Sequence, residues 1–137
     1  MSFEVAVQSA VYAALIANAD IVAESIPVHD AVPQPDSVEN SQYPYITIGE
    51  DNHTQTDTDT EKTNMVSIDI NVWSRQEGRA ETKRRQGYIN DALDRANLSF
   101  AGYKFINIMR DSSVTFLDAD GITRHGVQVF NLMIEEL

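Results

Sequence analysis

The segment Met65–Trp73 has the most regular hydrophobic pattern in the chain, and it limits the fold more than any other feature. Apolar and polar residues alternate along it, in the order MVSIDINVW. Successive side chains of a β-strand point to opposite faces of a sheet, so this pattern predicts a strand with one apolar face. That face consists of Val66, Ile68, Ile70 and Val72. The chain is therefore built around a sheet with one side for the core and one polar side.

Helices are predicted before and after this strand. The first runs from about Ser2 to Asn18, where apolar residues recur at helical spacing. The second is expected to begin at Ser74, because Ser74 and Glu77 have the spacing of a capping box, and to end near Ala96. Both helices present an apolar face that can cover the apolar side of a sheet.

Runs rich in β-branched and aromatic residues predict the remaining strands, over Ile26–His29, Tyr45–Gly49, Tyr103–Arg110, Ser113–Leu117 and Ile122–Ile134. A turn at Asp118–Gly121 joins the last two. The order of elements predicts the α+β class, with a mainly antiparallel sheet and two helices packed on one face. A length of 137 residues suits one core, so residues 1–137 are expected to form a single domain.

The negative charge of the chain is concentrated in its first part. Residues 1–61 contain eleven Asp and Glu and no Lys or Arg, while residues 62–137 contain ten of each sign, which gives a net charge of −11. Residues 50–63 (EDNHTQTDTDTEKT) include no apolar side chain. A segment of this composition cannot enter a core, and it is expected to form an acidic, solvated loop or long hairpin tip.

This charge distribution excludes some classes of partner. A sequence-independent grip on nucleic acid needs cations at the phosphates, so no specific nucleic-acid binding is expected. The apolar run Val5–Leu15 has no cationic residue before it, unlike a signal peptide, and Asn18 and Asp20 end it before it could span a membrane. The protein is expected to be soluble and intracellular where it is made.

The sequence has no arrangement of residues typical of an enzyme. It has no Cys, and its three histidines, His29, His53 and His125, lie in separate segments without metal-ligand spacing. Residues 57–61 (DTDTE) resemble the start of a calcium loop, but Gly is missing at the sixth position and Glu at the twelfth. Asp118 and Asp120 are interpreted as turn residues. We expect no catalytic site, no metal and no cofactor.

The second predicted helix gathers the bases of the chain. Six of the ten lie in or beside it, and its first half is predicted to be a basic, exposed surface that could bind the acidic segment of a neighbouring copy head to tail. The candidate subunit interface consists of Trp73, Arg79, Lys83, Arg84 and Arg85. A solvated helix with internal ion pairs, and a Trp73 that belongs to the core, are the alternatives.

Several pieces taken together resemble one known family. They are the N-terminal helix, the run PYITIG at residues 44–49, the strand Val66–Trp73 that leads into the Arg- and Glu-rich helix, and Asp120-Gly121 followed by Gly126, Val127 and Phe130. In kind and order, over nearly the whole chain, this arrangement is similar to the tail-completion, or tail-terminator, proteins of long-tailed bacteriophages and of phage-like gene transfer agents.

The resemblance implies structural work without chemistry. A small subunit would form a ring, taken as a hexamer, that caps the end of a tail tube, stops its growth and joins it to the head connector. The partners would be other copies, the tail tube protein and the head–tail connector protein. The location would be the head-proximal end of the tail, after assembly in the bacterial cytoplasm. The acidic loop would then repel DNA in the lumen through Asp51, Asp57, Asp59 and Glu61.

Two other classes of function stay open at this point. Crowded acids in residues 1–61 would also suit an acidic inhibitor that mimics DNA and occupies the basic groove of a nucleic-acid-binding protein. His53, which lies close in sequence to Asp57 and Asp59, is the one feature that favours a small metal-dependent hydrolase.

Overall fold

A computed structural model of the chain describes residues 3–30, 43–55, 63–75, 78–100 and 102–136. Its centre is a five-stranded sheet with the strand order β1-β2-β3-β5-β4. The strands are β1 (Val28–His29), β2 (Tyr45–Gln55), β3 (Thr63–Ser74), β4 (Tyr103–Leu117) and β5 (Arg124–Glu136). The short β1 is parallel to β2, and the other neighbours are antiparallel.

Three helices accompany the sheet: α1 (Phe3–Ile16), α2 (Ala19–Ala23) and α3 (Ala80–Leu93). Asn18 ends the first helical stretch and caps the second, since its side-chain oxygen accepts hydrogen bonds from the amides of Asp20 and Ile21, both at 3.0 Å. The N-terminal helix, predicted to end near Asn18, is therefore confirmed, whereas α2 was not predicted. None of the three helices in the described part of the chain has the length and apolarity needed to cross a bilayer.

The core lies on one face of the sheet, between the strands and all three helices. The predicted alternation in β3 is confirmed, because Val66, Ile68, Ile70 and Val72 are buried. They pack in one cluster with helix residues such as Val11. The predicted α+β class, with a mainly antiparallel sheet and helices on one face, is confirmed, and α2 is the addition. Because one face takes all the helices, the other face of the sheet carries none of them.

The predicted start of the second helix is wrong. Ser74 is the last residue of β3 and pairs with Arg124, and α3 begins only at Ala80. The preceding cap position, Arg79, makes no side-chain capping bond. Glu77, the other half of the capping box, lies outside the described residues. Ser74 instead accepts a hydrogen bond from buried Arg85, so strand pairing and a buried cation take the side chain that the local motif assigned to a helix.

Two strands are longer than predicted. Tyr103–Leu117 is one strand with two register shifts, between Phe105 and Asn107 and between Arg110 and Ser112, where two strands were expected. The continuous partner β5 holds the ladder together across these bulges. Likewise β2 runs on to Gln55, so the first six residues of the acidic segment are a strand whose side chains from Glu50 onward are exposed. Residues 56–62 lie outside the description.

Candidate functional site

The helix-free side of the sheet, here called the open face, is partly apolar and exposed. Register places side chains of β2, β3, β5 and β4 on it in rows, such as Thr47, Asn71, Val127 and Val114. Val114 is 54% exposed, and Met109 and Phe116 on the same strand are exposed as well. Single exposed apolar residues are normal, but several on one sheet face are typical of a surface that another protein covers.

One row of the open face is aromatic across four strands. Tyr45, Trp73, His125 and Phe116 stand directly opposite one another in the registers of β2, β3, β5 and β4. The rings of Trp73 and His125 are nearly parallel, with their centroids 3.6 Å apart, and the centroids of Phe116 and His125 are 4.8 Å apart. Tyr45 stacks on the other side of Trp73 at 6.1 Å. This aromatic row is a continuous line of packed rings at one end of the open face.

His125 is held in the middle of the aromatic row. Its Nε2 lies 2.8 Å from Oδ1 of Asn71, and its Nδ1 lies 3.8 Å from a carboxylate oxygen of Asp118. Burial lowers the pKa of His125, and the negative charge of Asp118 opposes that shift. Because the ordinary imidazole pKa of about 6.5 is lowered here, the imidazole is mainly neutral at pH 7.

The end of the aromatic row is tied down by the predicted turn. Asp120 accepts hydrogen bonds from the hydroxyl and amide of Thr123 and from the amide of Ile122, and these bonds lower its pKa to about 2. Gly121 has a φ of +72°, as a tight hairpin connection requires. Arg75 donates to the hydroxyl of Thr123 and lies 4.6 Å from the ring centre of Tyr43. The turn at Asp118–Gly121 is thus confirmed as a turn.

Trp73, predicted as an interface anchor, lies on the open face as its position in the alternation indicated. It is half-buried in the aromatic row, and its indole N–H donates to the hydroxyl of Thr47 at 3.4 Å. Part of the ring remains available to a partner, so its role as an anchor stays a prediction.

The first half of the basic helix was expected to be exposed, and this prediction is wrong for Arg85. Arg85 is 3% exposed. Its guanidinium donates to Ser74 at 3.3 Å and lies 3.5 Å from Glu24 and 3.8 Å from Glu81. Arg84 is on the surface but is held by the same two carboxylates. The helix residues face α2, and that contact uses both cations within the molecule.

Glu24 is the common partner of this internal network. The hydroxyl of Tyr88 donates to it, and this hydrogen bond, together with the charges of Arg84 and Arg85, lowers the pKa of Glu24 against an opposing effect of burial. The network attaches α2 to α3. For the basic helix, the sequence left open an alternative with internal ion pairs. Arg84 and Arg85 form such pairs, with Glu24 and Glu81.

Lys83 and Arg79 are exposed, and Lys83 lines a cleft that the sequence did not indicate. This basic cleft, of about 260 Å³ between α3 and β4, is lined by Lys83, Gln86, Gly87, Arg110, Ser113 and Thr115. Arg110 and the two hydroxyl residues lie on the helix side of an edge strand. The one sequence signal for the basic cleft was the presence of polar residues at positions of β4 that face the helices. The bulges in β4 interrupt the alternation and obscured this signal.

An acidic cleft lies on the open face, over β2 and the central strand β3. It measures about 480 Å³ and is lined by Asp30, Thr47, Ile48, Gly49, Glu50, Asp69, Asn71 and Trp73. Burial raises the pKa of Asp69, and the nearby charge of Glu50 raises it further. Three carboxylates therefore converge on one half-open surface that also contains the edge of Trp73.

A third groove, of about 630 Å³, separates α1 from β1 and β2 and has apolar walls that include Val5, Tyr12 and Ile16. It has no nucleophile paired with a base. Within the described residues no three His, Asp or Glu side chains form a possible metal site. Of the predicted lumen residues, Asp51 is an exposed residue of β2, whereas Asp57, Asp59 and Glu61 lie outside the described part of the chain.

Comparisons with known proteins give one matching family, one sequence relative and one solved structure with the same fold. A model of the family described as tail completion protein gp17 matches residues 9–135. The tail completion protein gp17 of Bacillus phage SPP1 is 29% identical over 85 residues, which are 62% of this chain and 63% of that protein, so the match spans just under two thirds of the relative. A chain from the virion of a native gene transfer agent particle has the same fold, with a TM-score of 0.85 and 23% identity over 98% of this chain and 99% of that one.

Replacement of the buried cation should be far more damaging than replacement of its exposed neighbour. Arg85→Ala removes a buried guanidinium from Glu24, Glu81 and Ser74 and should lower the free energy of unfolding by roughly 2–4 kcal/mol. Arg84→Ala, which removes a 47% exposed side chain from the same carboxylates, should cost much less, because exposed ion pairs contribute little to stability. Urea denaturation of both variants measures the difference, and equal losses would contradict the assigned burial.

The lowered pKa of His125 predicts a pH-dependent stability. Between the ordinary imidazole pKa of about 6.5 and the lower pKa in the folded state, the unfolded chain binds more protons, so stability is lost as the pH falls through this window. His125→Phe keeps an aromatic ring but cannot be protonated. Its unfolding free energy should decrease less than that of the wild type between about pH 7.5 and about pH 5.5. Parallel pH profiles for both proteins would show that His125 does not titrate in this way.

Proposed function

Because the chain belongs to the tail completion protein gp17 family, we propose that it forms a ring at the end of a phage-type tail tube, where it ends tube growth and joins the tube to the head connector. The family is one of structural tail proteins and not of enzymes. The observation that carries the proposal is the family match over residues 9–135. The protein would be part of a virion or a phage-like particle, and its partners would be other copies, the tube protein and the connector protein.

The open face supports an assembly role. It has exposed apolar side chains along β4 and a rigid aromatic row, and rigid surfaces lose little conformational entropy on binding. A sheet that is covered by helices on one side only has its other side available to a neighbouring protein. In the ring, the open face would be covered.

The charge of the chain suits assembly that depends on an existing tube. Every copy carries a formal charge of −11, so free subunits repel one another at a distance. Contacts of short range at the tube end would offset this repulsion. The acidic residues at and after Asp51 would keep DNA from sticking where it passes through the ring, with Asp57, Asp59 and Glu61 in the same role.

The proposal is tested by adding the purified protein to tail tubes assembled from the tube protein encoded beside it. Electron microscopy should show ring-shaped density at one tube end, and tubes should stop growing. Tubes that keep growing, with bare ends, would contradict the proposal. Competition with DNA for a basic protein, without any capping, would favour an acidic inhibitor that mimics DNA.

A charge on the open face should abolish capping. Val114→Glu places a carboxylate at a site that is 54% exposed in the free subunit, so the fold should tolerate it while the covered face should not. The matched control is Val22→Glu on α2, at a site that is 60% exposed and away from the open face. Capping should be lost in the first variant and kept in the second. Normal capping by Val114→Glu would show that the open face is not an assembly surface.

A further inference from the structure

The basic cleft contains cations that the fold leaves unused. Several bases elsewhere in the described residues form salt bridges with a nearby carboxylate, as Arg75 does with Asp120 and Lys104 with Glu135. Within that part of the chain, no carboxylate lies within 4.0 Å of the charged groups of Lys83 or Arg110. In a chain with 21 acids and ten bases, two cations without acidic partners in one cleft are a specific arrangement.

The remaining walls of the basic cleft are suited to an oxyanion. Ser113 and Thr115 supply hydroxyl groups beside the two cations. Gln86 is held in place, because its side-chain amide donates to the carbonyl of Val114 at 3.0 Å and packs against Gly126, where a Cβ would come within 2.5 Å of it. Gly87 has no side chain to fill the space. Cations and hydroxyl donors around a preformed cleft favour a carboxylate or a phosphate.

Some of the backbone at this edge is already hydrogen-bonded within the subunit. The carbonyl of Ile108 accepts from the amide of Arg95, and the amide of Arg110 donates to Asp94, both at 2.8 Å. With the bond from Gln86 to Val114, three positions of edge strand β4 are occupied from the α3 side. Beside the basic cleft a partner therefore meets side chains at these positions rather than free backbone groups.

The acidic cleft offers the matching chemistry on the open face, over β2 and the central strand β3. Asp30, Glu50 and Asp69 line it, and the raised pKa of Asp69 reflects burial and repulsion by Glu50. A cation from outside would relieve that repulsion. The basic cleft lies instead on the helix side of edge strand β4, so one copy can use both clefts at once with two different neighbours.

We propose that the basic cleft of one copy binds the carboxylates of the acidic cleft of the next copy, and that this head-to-tail contact joins the subunits of the ring. The inference rests on the proposed ring, and it specifies the contact between neighbouring subunits, here called the joint. The two halves of the contact are different surfaces of one subunit, so the contact is head to tail, and its repetition gives a ring when the rotation between neighbours closes. A DNA phosphate is the poorer occupant, since the net charge of −11 repels nucleic acid.

The first test reverses one charge at a time. Lys83→Glu and Arg110→Glu should each lower the fraction of added tail tubes that carry a ring, counted by electron microscopy at limiting protein concentration, by about tenfold or more. The matched control is Arg95→Glu, which makes the same charge change just after α3 on a 77% exposed side chain. The control should cap tubes within about twofold of the wild type. Circular dichroism and urea midpoints confirm that all three variants are folded.

The second test restores the contact between two defective proteins. Glu50→Lys should fail alone, as Arg110→Glu does, because each variant places like charges on both sides of the joint. An equimolar mixture should assemble, since Glu at position 110 of one protein faces Lys at position 50 of the other, and the native pair alternates with it. A mixture no better than its components would overturn the pairing of the two clefts.

The outcomes separate this inference from the proposed function. Rings and capped tubes formed equally well by Lys83→Glu and Arg110→Glu would overturn the joint while the ring stands. A wild type that neither self-associates nor caps tubes would overturn the proposed function and the joint with it. Binding of labelled duplex DNA by the wild type that is lost in Arg110→Glu would assign the cleft to a phosphate and overturn the carboxylate.

Discussion

Burial of the sheet face that carries the helices is the constraint on which the structure depends. The alternation from Val66 to Val72 places every second side chain of β3 in the core, and β5 follows the same period in register, whereas Tyr45–Ile48 of β2 are all buried. All three helices pack on that side, and α2 is attached to α3 by the network around Glu24 and Arg85. The opposite face carries no helix and has a row of aromatic rings and, along β4, exposed apolar side chains, which are typical of a protein contact surface.

The same division assigns different roles to the cations of the chain. Arg84 and Arg85 are committed to carboxylates of the same molecule, so they hold helices together. Lys83, one residue away, faces the opposite edge with Arg110 and has no such commitment in the described residues. Adjacent residues within one helical turn therefore have different roles: Arg84 and Arg85 stabilise the subunit, and Lys83 lies on a surface suited to a second copy. A count of bases along the helix could not distinguish these roles.

The sequence predicted features with local physical causes. The strand Met65–Trp73, the turn Asp118–Gly121, the α+β class and the family are confirmed because periodicity, turn chemistry and the order of elements carry them. The start of α3 was wrong because the pairing of Ser74 with Arg124 overrides a local capping motif. Burial of Arg85 depends on α2, a short helix set by the cap at Asn18, and the basic cleft depends on Arg110, which is 27 residues downstream of Lys83. Neither contact has a local signal.

The central claim is that the open face mates with protein, and Trp73 reports on it directly. It is the single tryptophan of the sequence and lies half-buried on that face. Acrylamide quenching of its fluorescence can be compared between the free subunit and the same protein assembled on tail tubes. The account predicts a clear fall in the quenching constant and a blue shift of the emission on assembly. An unchanged quenching constant on fully capped tubes would contradict it.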